Sequence, residues 1–237
     1  MSTKAVPTGP LADNISIASS DLVKILVGFY KAEEVSVHRD VICSTSEILK
    51  QSFASPDRKE TTLPNILQLH FKIYVNWLYT GIIRAVEPQL GSLNEYTLLV
   101  QLFLTGATLK DKKFRNAIIS VLLKCARDPP SGSKTLPDED CINLAYNPAY
   151  NITGGGLKLL QKMLVEIYAT EENPAYLVAV QDKVDRKFLS DLRLRLMEMR
   201  LAKYKNLLET RVCDFHEHKP KEQCEKQEPA RKRRREE

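Results

Sequence analysis

Residues 21–28, DLVKILVG, place the tightest constraint on the fold. An apolar run broken by one lysine and closed by glycine is a strand signal. The strand needs a partner, because its N–H and C=O groups cannot be left unpaired in a core. Val35–His38 (VSVH) alternates in the right way, and the intervening Gly28–Glu34 has hairpin-loop length. Thr61–Pro64 (TTLP) reads as a short extended segment, since proline biases the residue before it away from helix.

Helical spacing dominates the rest. Asp40–Phe53 carries Ile42, Ile48, Leu49 and Phe53, with Ser44 or Ser46 as helix cap. Ser44 and Glu47 also have capping-box spacing. Over Asn65–Tyr79, the residues Leu67, Phe71, Tyr74, Val75 and Leu78 share one face, and Gly81 sits where a helix should stop. Leu98–Lys124 reads as two helices joined near Leu109–Lys112. One stripe is Leu99, Leu102, Phe103 and Ala107; the other is Phe114, Ile118, Val121, Leu122 and Cys125. Asp128–Ser133 (DPPSGS) is a linker by composition. Three helical segments are expected beyond it, at 137–146, 156–169 and 174–210. Within the last, Leu192, Leu194 and Leu196 alternate as in a strand, while Leu194, Met197, Leu201, Tyr204 and Leu208 step as in a helix. Length and the scarcity of β-branched residues decide for helix.

Composition closes off several classes. The 237 residues are 43% hydrophobic and 27% charged, ordinary for a globular chain. No apolar window reaches membrane-span length, and Met1–Ser20 has no apolar core of a secretory signal. The five cysteines are odd in number and widely spaced, unlike a disulfide framework. These features point to an intracellular protein, in the nucleus, the cytoplasm or both. The formal net charge is +5, and the run Arg231, Lys232, Arg233, Arg234, Arg235 accounts for all of it. Nucleic-acid binding by the folded part is therefore not expected. The run itself reads as a nuclear-localisation signal or a solubilising tail next to Glu236 and Glu237.

Candidate chemistry is sparse. Cys213, His216, His218 and Cys224 could together hold zinc in a tetrahedral N/S site, though their spacing matches no common finger. The alternative is a polar tail with ligand-type residues by chance, and no other cofactor is indicated. The Gly154–Gly156 run lacks the Lys-Ser/Thr ending of a phosphate-binding loop and reads as a hinge or turn. The four histidines are His38, His70, His216 and His218, and none lies in a nucleophile motif. His70 sits in an apolar helix and reads as a packing residue. The paired acids at 33–34, 171–172 and 236–237 read as solvated charge. No enzyme is expected.

Three ordered blocks carry a family resemblance. The first is 21–28 (DLVKILVG) with 35–46 (VSVHRDVICSTS). The second is 62–64 (TLP), Phe71 and 77–81 (WLYTG). The third is 99–109 (LVQLFLTGATL) with 114–118 (FRNAI). Together they resemble a BTB/POZ domain over 20–126, and the WLYTG wording with Asn143–Tyr146 (NLAY) is similar to its fungal branch. The resemblance implies an α/β (α+β) fold, a small sheet capped by helices. The expected layout is a disordered 1–19, the domain at 20–126, a linker at 127–136, an all-α extension at 137–210 and a flexible basic tail at 211–237. It also implies a protein-interaction function as a homodimer, adaptor or scaffold, in some members as a substrate adaptor of a cullin-type ubiquitin ligase. Asp21, His38 and Arg39 would lie at the dimer surface, with Asp21 pairing His38 or Arg39. One departure argues against cullin docking: Arg58 stands where docking members carry an apolar anchor, two positions before Glu60. The alternative reading is a nuclear regulator binding nucleic acid through the basic tail. A small metal-dependent enzyme using the 213–224 cluster is more remote.

Overall fold

The computed structural model describes residues 21–29, 31–83, 95–128, 136–150, 156–171, 175–201 and 215–217. Residues 1–19, 127–136 beyond Asp128 as far as 135, and Arg231–Arg235 therefore fall wholly or mostly outside the described residues. The class is mixed α and β, a small sheet with helices.

Three strands form the sheet: β1 (Leu22–Val27), β2 (Glu33–His38) and β3 (Glu60–Leu63), in the order β2-β1-β3. β1 and β2 make the antiparallel hairpin expected from the sequence, with Val23 opposite Val37 and Ile25 opposite Val35. β3 joins the other edge of β1 in parallel, Ile25 opposite Thr61 and Val27 opposite Leu63. This pairing was not legible locally, because four residues carry little periodicity. Val23, Ile25, Val27 and Val37 point into the core. The opposite face carries Lys24 and Glu34, ion-paired at 2.9 Å, together with Ser36 and Thr62. Glu33 pairs with Lys72 at 2.7 Å, so both acids of the 33–34 pair lie on the surface against lysines.

Between β2 and β3 the chain forms α1 (Arg39–Ile42) and α2 (Glu47–Ser52). The two capping candidates divide the work. Ser46 caps α2 by accepting from the Leu49 N–H at 3.2 Å. Ser44 makes no capping box; its hydroxyl donates back to the Val41 carbonyl at 2.7 Å and closes α1.

Helix α3 (Gln68–Thr80) stops at Gly81, whose φ of 70° lies in the left-handed region. It starts three residues later than the sequence suggests, because Pro64 and the turn after β3 delay it. Leu67 precedes its first turn and is 63% exposed, so it is not part of the buried stripe. Helices α4 (Glu95–Thr108) and α5 (Lys112–Arg127) form the expected hairpin, with Lys110 left-handed at φ 49° in the turn.

The remaining helices are α6 (Glu139–Tyr146), α7 (Gly156–Ala169), α8 (Ala175–Val180) and α9 (Arg186–Leu201). The single helix expected over 174–210 is broken. A turn at residues 181–185 separates α8 from α9, and Asn143 holds it by accepting from the Asp185 N–H and donating to the Lys183 carbonyl. The strand-or-helix ambiguity at 189–201 resolves as helix. Phe188 and Leu192 are buried, whereas Leu194, Leu196 and Met197 are exposed.

The extension packs on the first unit. Helix α6 lies on α4 and α7 on α5. Asp138, the α6 cap, accepts from the Thr97 hydroxyl of α4 at 2.9 Å, and Tyr168 of α7 donates to the Pro137 carbonyl at 2.6 Å. One contiguous apolar core runs from Val23 to Phe215.

Candidate interaction site

The three sequence-selected interface residues cluster at one end of the hairpin, where β2 passes into α1. Asp21 and Arg39 meet through their backbones: the Arg39 N–H donates to the Asp21 carbonyl at 2.9 Å. The expected side-chain pairing is not made. The Asp21 carboxylate faces Lys59 at 3.9 Å, and both groups are exposed. Neighbouring Leu22 lies opposite His38 and is also exposed.

His38 and Arg39 are occupied inside the fold. The His38 N–H donates to the Tyr79 hydroxyl at 3.1 Å, and that hydroxyl lies 2.7 Å from the ring Nδ1. A consistent set has Tyr79 donating to Nδ1, which places the ring proton on Nε2. The two rings meet edge to face. These bonds tie the end of β2 to the end of α3. Arg39 spreads its guanidinium over four carbonyls: Phe53 (3.0 Å), Ser55 (3.2 Å), Pro56 (2.9 Å) and Arg58 (2.7 Å). It also lies over the Phe53 ring at 5.6 Å. The planar five-donor fork shapes the 53–58 loop that delivers β3, a task for which a lysine ammonium lacks both donors and geometry. Arg39→Lys should therefore lower stability by about 1–2 kcal/mol, and chemical denaturation measures it. An unchanged midpoint would show that the loop holds its shape without the fork.

The titratable groups of the core have structural surroundings. His70 is buried, 3.4 Å from the Thr105 hydroxyl, and burial lowers its pKa. Burial raises the thiols of Cys43 and Cys141 and pushes Cys125 up to about 12. A thiol shifted in that direction is a poor nucleophile at neutral pH.

Of the zinc candidates, only His216 is among the described residues, and its Nε2 lies 3.0 Å from the Ser120 hydroxyl. Cys213, His218 and Cys224 lie outside them. Among the described residues, no three His, Cys, Asp or Glu side chains are grouped to hold a metal ion. No described helix is long and apolar enough to cross a membrane.

The exposed apolar side chains form the candidate contact surface. Leu196 and Met197 of α9, with Leu177 of α8, border an open groove of about 400 Å³ that Arg193 and Arg200 flank. Met197 is 50% exposed, and Val178 and Tyr176 of α8 add further apolar area. Contiguous exposed apolar surface of this kind is what a protein can bury against a partner.

The sequence also hid a second feature. The tail, expected to be flexible from residue 211, is docked at Phe215–Glu217, where Glu217 pairs with Arg115 of α5. Two signals were there to be read: a cation inside the apolar stripe of α5, and one phenylalanine in a predominantly polar tail. No protein-family model matches the chain, and no curated protein matches it either.

Proposed function

We propose that the chain is a non-enzymatic protein-interaction module of BTB/POZ type over 20–126, with a helical extension that carries its contact face. It acts by self-association or as an adaptor. The observation that carries this reading is the exposed apolar face of α8 and α9, with Leu196 and Met197 at its centre. The small sheet with helices, the class the resemblance implies, supports the domain assignment.

Cullin docking is not part of the proposal. Arg58 is exposed, and its Nε donates to the Glu60 carbonyl at 3.2 Å, so a charged, self-bonded side chain occupies the anchor position.

Light scattering on the purified chain, paired with affinity purification and mass spectrometry, is the test. The expected result is a mass above the 27.0 kDa monomer or a specific stoichiometric partner. A monomer at every concentration with no partner captured would reject the reading.

A further inference from the structure

Phe215, His216 and Glu217 occupy a cleft between α5 and α7, and the cleft is built around them. The Glu217 carboxylate takes two parallel bonds from Arg115, Nε to Oε1 and Nη2 to Oε2, both at 2.6 Å. Both side chains are almost fully buried, at 4% and 6% exposure. The Glu217 N–H donates to the Asn116 side-chain oxygen at 2.9 Å. The Phe215 ring is 1% exposed, with the Lys162 ammonium over its face at 5.6 Å. A Cβ added to Gly156, the first residue of α7, would overlap the Glu217 carboxylate. The carboxylate seat exists because that position has no side chain.

These groups recognise a phenyl ring, a backbone N–H and a carboxylate two residues later. Nothing in them depends on the segment being covalently joined to α9. A buried arginine without a counter-ion is strongly unfavourable, so the cleft has a standing need for a carboxylate. The bidentate fork makes that need selective for planar anions. Beyond the Phe215 ring, an open groove of about 750 Å³ continues between α7 and α9, with the Glu166–Arg195 pair (2.7 Å) along it. It gives room for residues flanking the aromatic side chain.

We infer that the α5–α7 cleft is a peptide-recognition site for an extended Phe-x-Glu segment of a partner protein, held closed in this chain by its own tail. A tethered segment acts at an effective concentration of about millimolar, so a free partner peptide binds appreciably only when the tail is released. The site and the Leu196–Met197 groove are lined by different residues, and the inference stands whether or not that groove mediates association.

The test uses the full chain carrying Phe215→Ala and Glu217→Gln, which empties the cleft. The probe is a fluorescent peptide of residues 214–220 (DFHEHKP), followed by anisotropy. The released chain should bind it saturably, and at least about tenfold more tightly than the wild type does. Binding should vanish when the peptide's own phenylalanine and glutamate are replaced by alanine and glutamine. A folded released chain that ignores the peptide, or binds the altered peptide equally well, overturns the inference. A doubled wild-type mass that the Phe215→Ala, Glu217→Gln chain loses would assign the cleft to the tail of a second copy and overturn the partner assignment. Should the released chain fail to fold, amide exchange on the wild type decides. Excess peptide should speed exchange at residues 215–217, and unchanged exchange rejects the site.

Discussion

Phe188→Ala is expected to lower the stability of the whole chain by about 3–5 kcal/mol, the range for truncating a fully buried aromatic ring. Phe188 has no solvent exposure. Its ring meets Tyr146 of α6 at 5.7 Å and Tyr168 of α7 at 5.4 Å, both edge to face. It is thus the central apolar side chain through which α9 holds α6 and α7, beside the Asp191–Tyr146 hydrogen bond and the Arg195–Glu166 pair. Those two helices rest on α4 and α5, so their loss exposes the apolar backs of the central hairpin. Calorimetry should show one transition in the wild type, shifted down as a unit in the variant. Two transitions, with the upper one unmoved by the substitution, would show that the extension folds separately from residues 21–128.

Asp111→Ala is the second large effect, at about 2–4 kcal/mol. Asp111 has no solvent exposure and sits in the turn between α4 and α5. One carboxylate oxygen accepts from the Phe114 N–H at 2.9 Å and caps α5. The other accepts from the Tyr74 hydroxyl at 2.8 Å and from the Thr45 hydroxyl. The three donors come from α5, α3 and the α1–α2 turn, so one side chain closes the polar centre of the first unit. Alanine would strand a buried tyrosine hydroxyl and a helix-start N–H. Burial, and next the Asp111 charge, raise the Tyr74 pKa well above its ordinary value, so that hydroxyl stays a donor. Tyr74→Phe should accordingly cost less in the Asp111→Ala background than in the wild type. Equal costs would mean that the two groups are not coupled.

The strands, the two-helix hairpin and the Gly81 stop were legible because each rests on periodicity or a backbone requirement a few residues wide. The extended segment at 61–64 was read too, but not its parallel pairing with β1, since that partner lies more than thirty residues away and the segment's own pattern is four residues long. The α8–α9 break was hidden because Asn143, which holds the turn, belongs to a different helix. The buried face of α9 was not legible for a related reason. Both its alternating leucines and its helical stripe satisfy a periodic template, and Phe188 is chosen by the distant rings of Tyr146 and Tyr168. Asp21, His38 and Arg39 were chosen as polar positions flanking apolar strands. The sequence could not show that Tyr79 and the 53–58 loop claim two of them. Arg115 and Glu217 stand 102 positions apart, beyond the reach of any local pattern.

The most direct test compares the wild type with the Leu196→Glu, Met197→Glu double variant by light scattering and partner capture. Both side chains are at least 37% exposed, so the substitutions should leave the melting temperature unchanged. The account expects the wild type to associate, with itself or with a defined partner, and the double variant to run as a free 27.0 kDa chain. A variant that associates as the wild type does would contradict the assignment of the α8–α9 face as the contact surface.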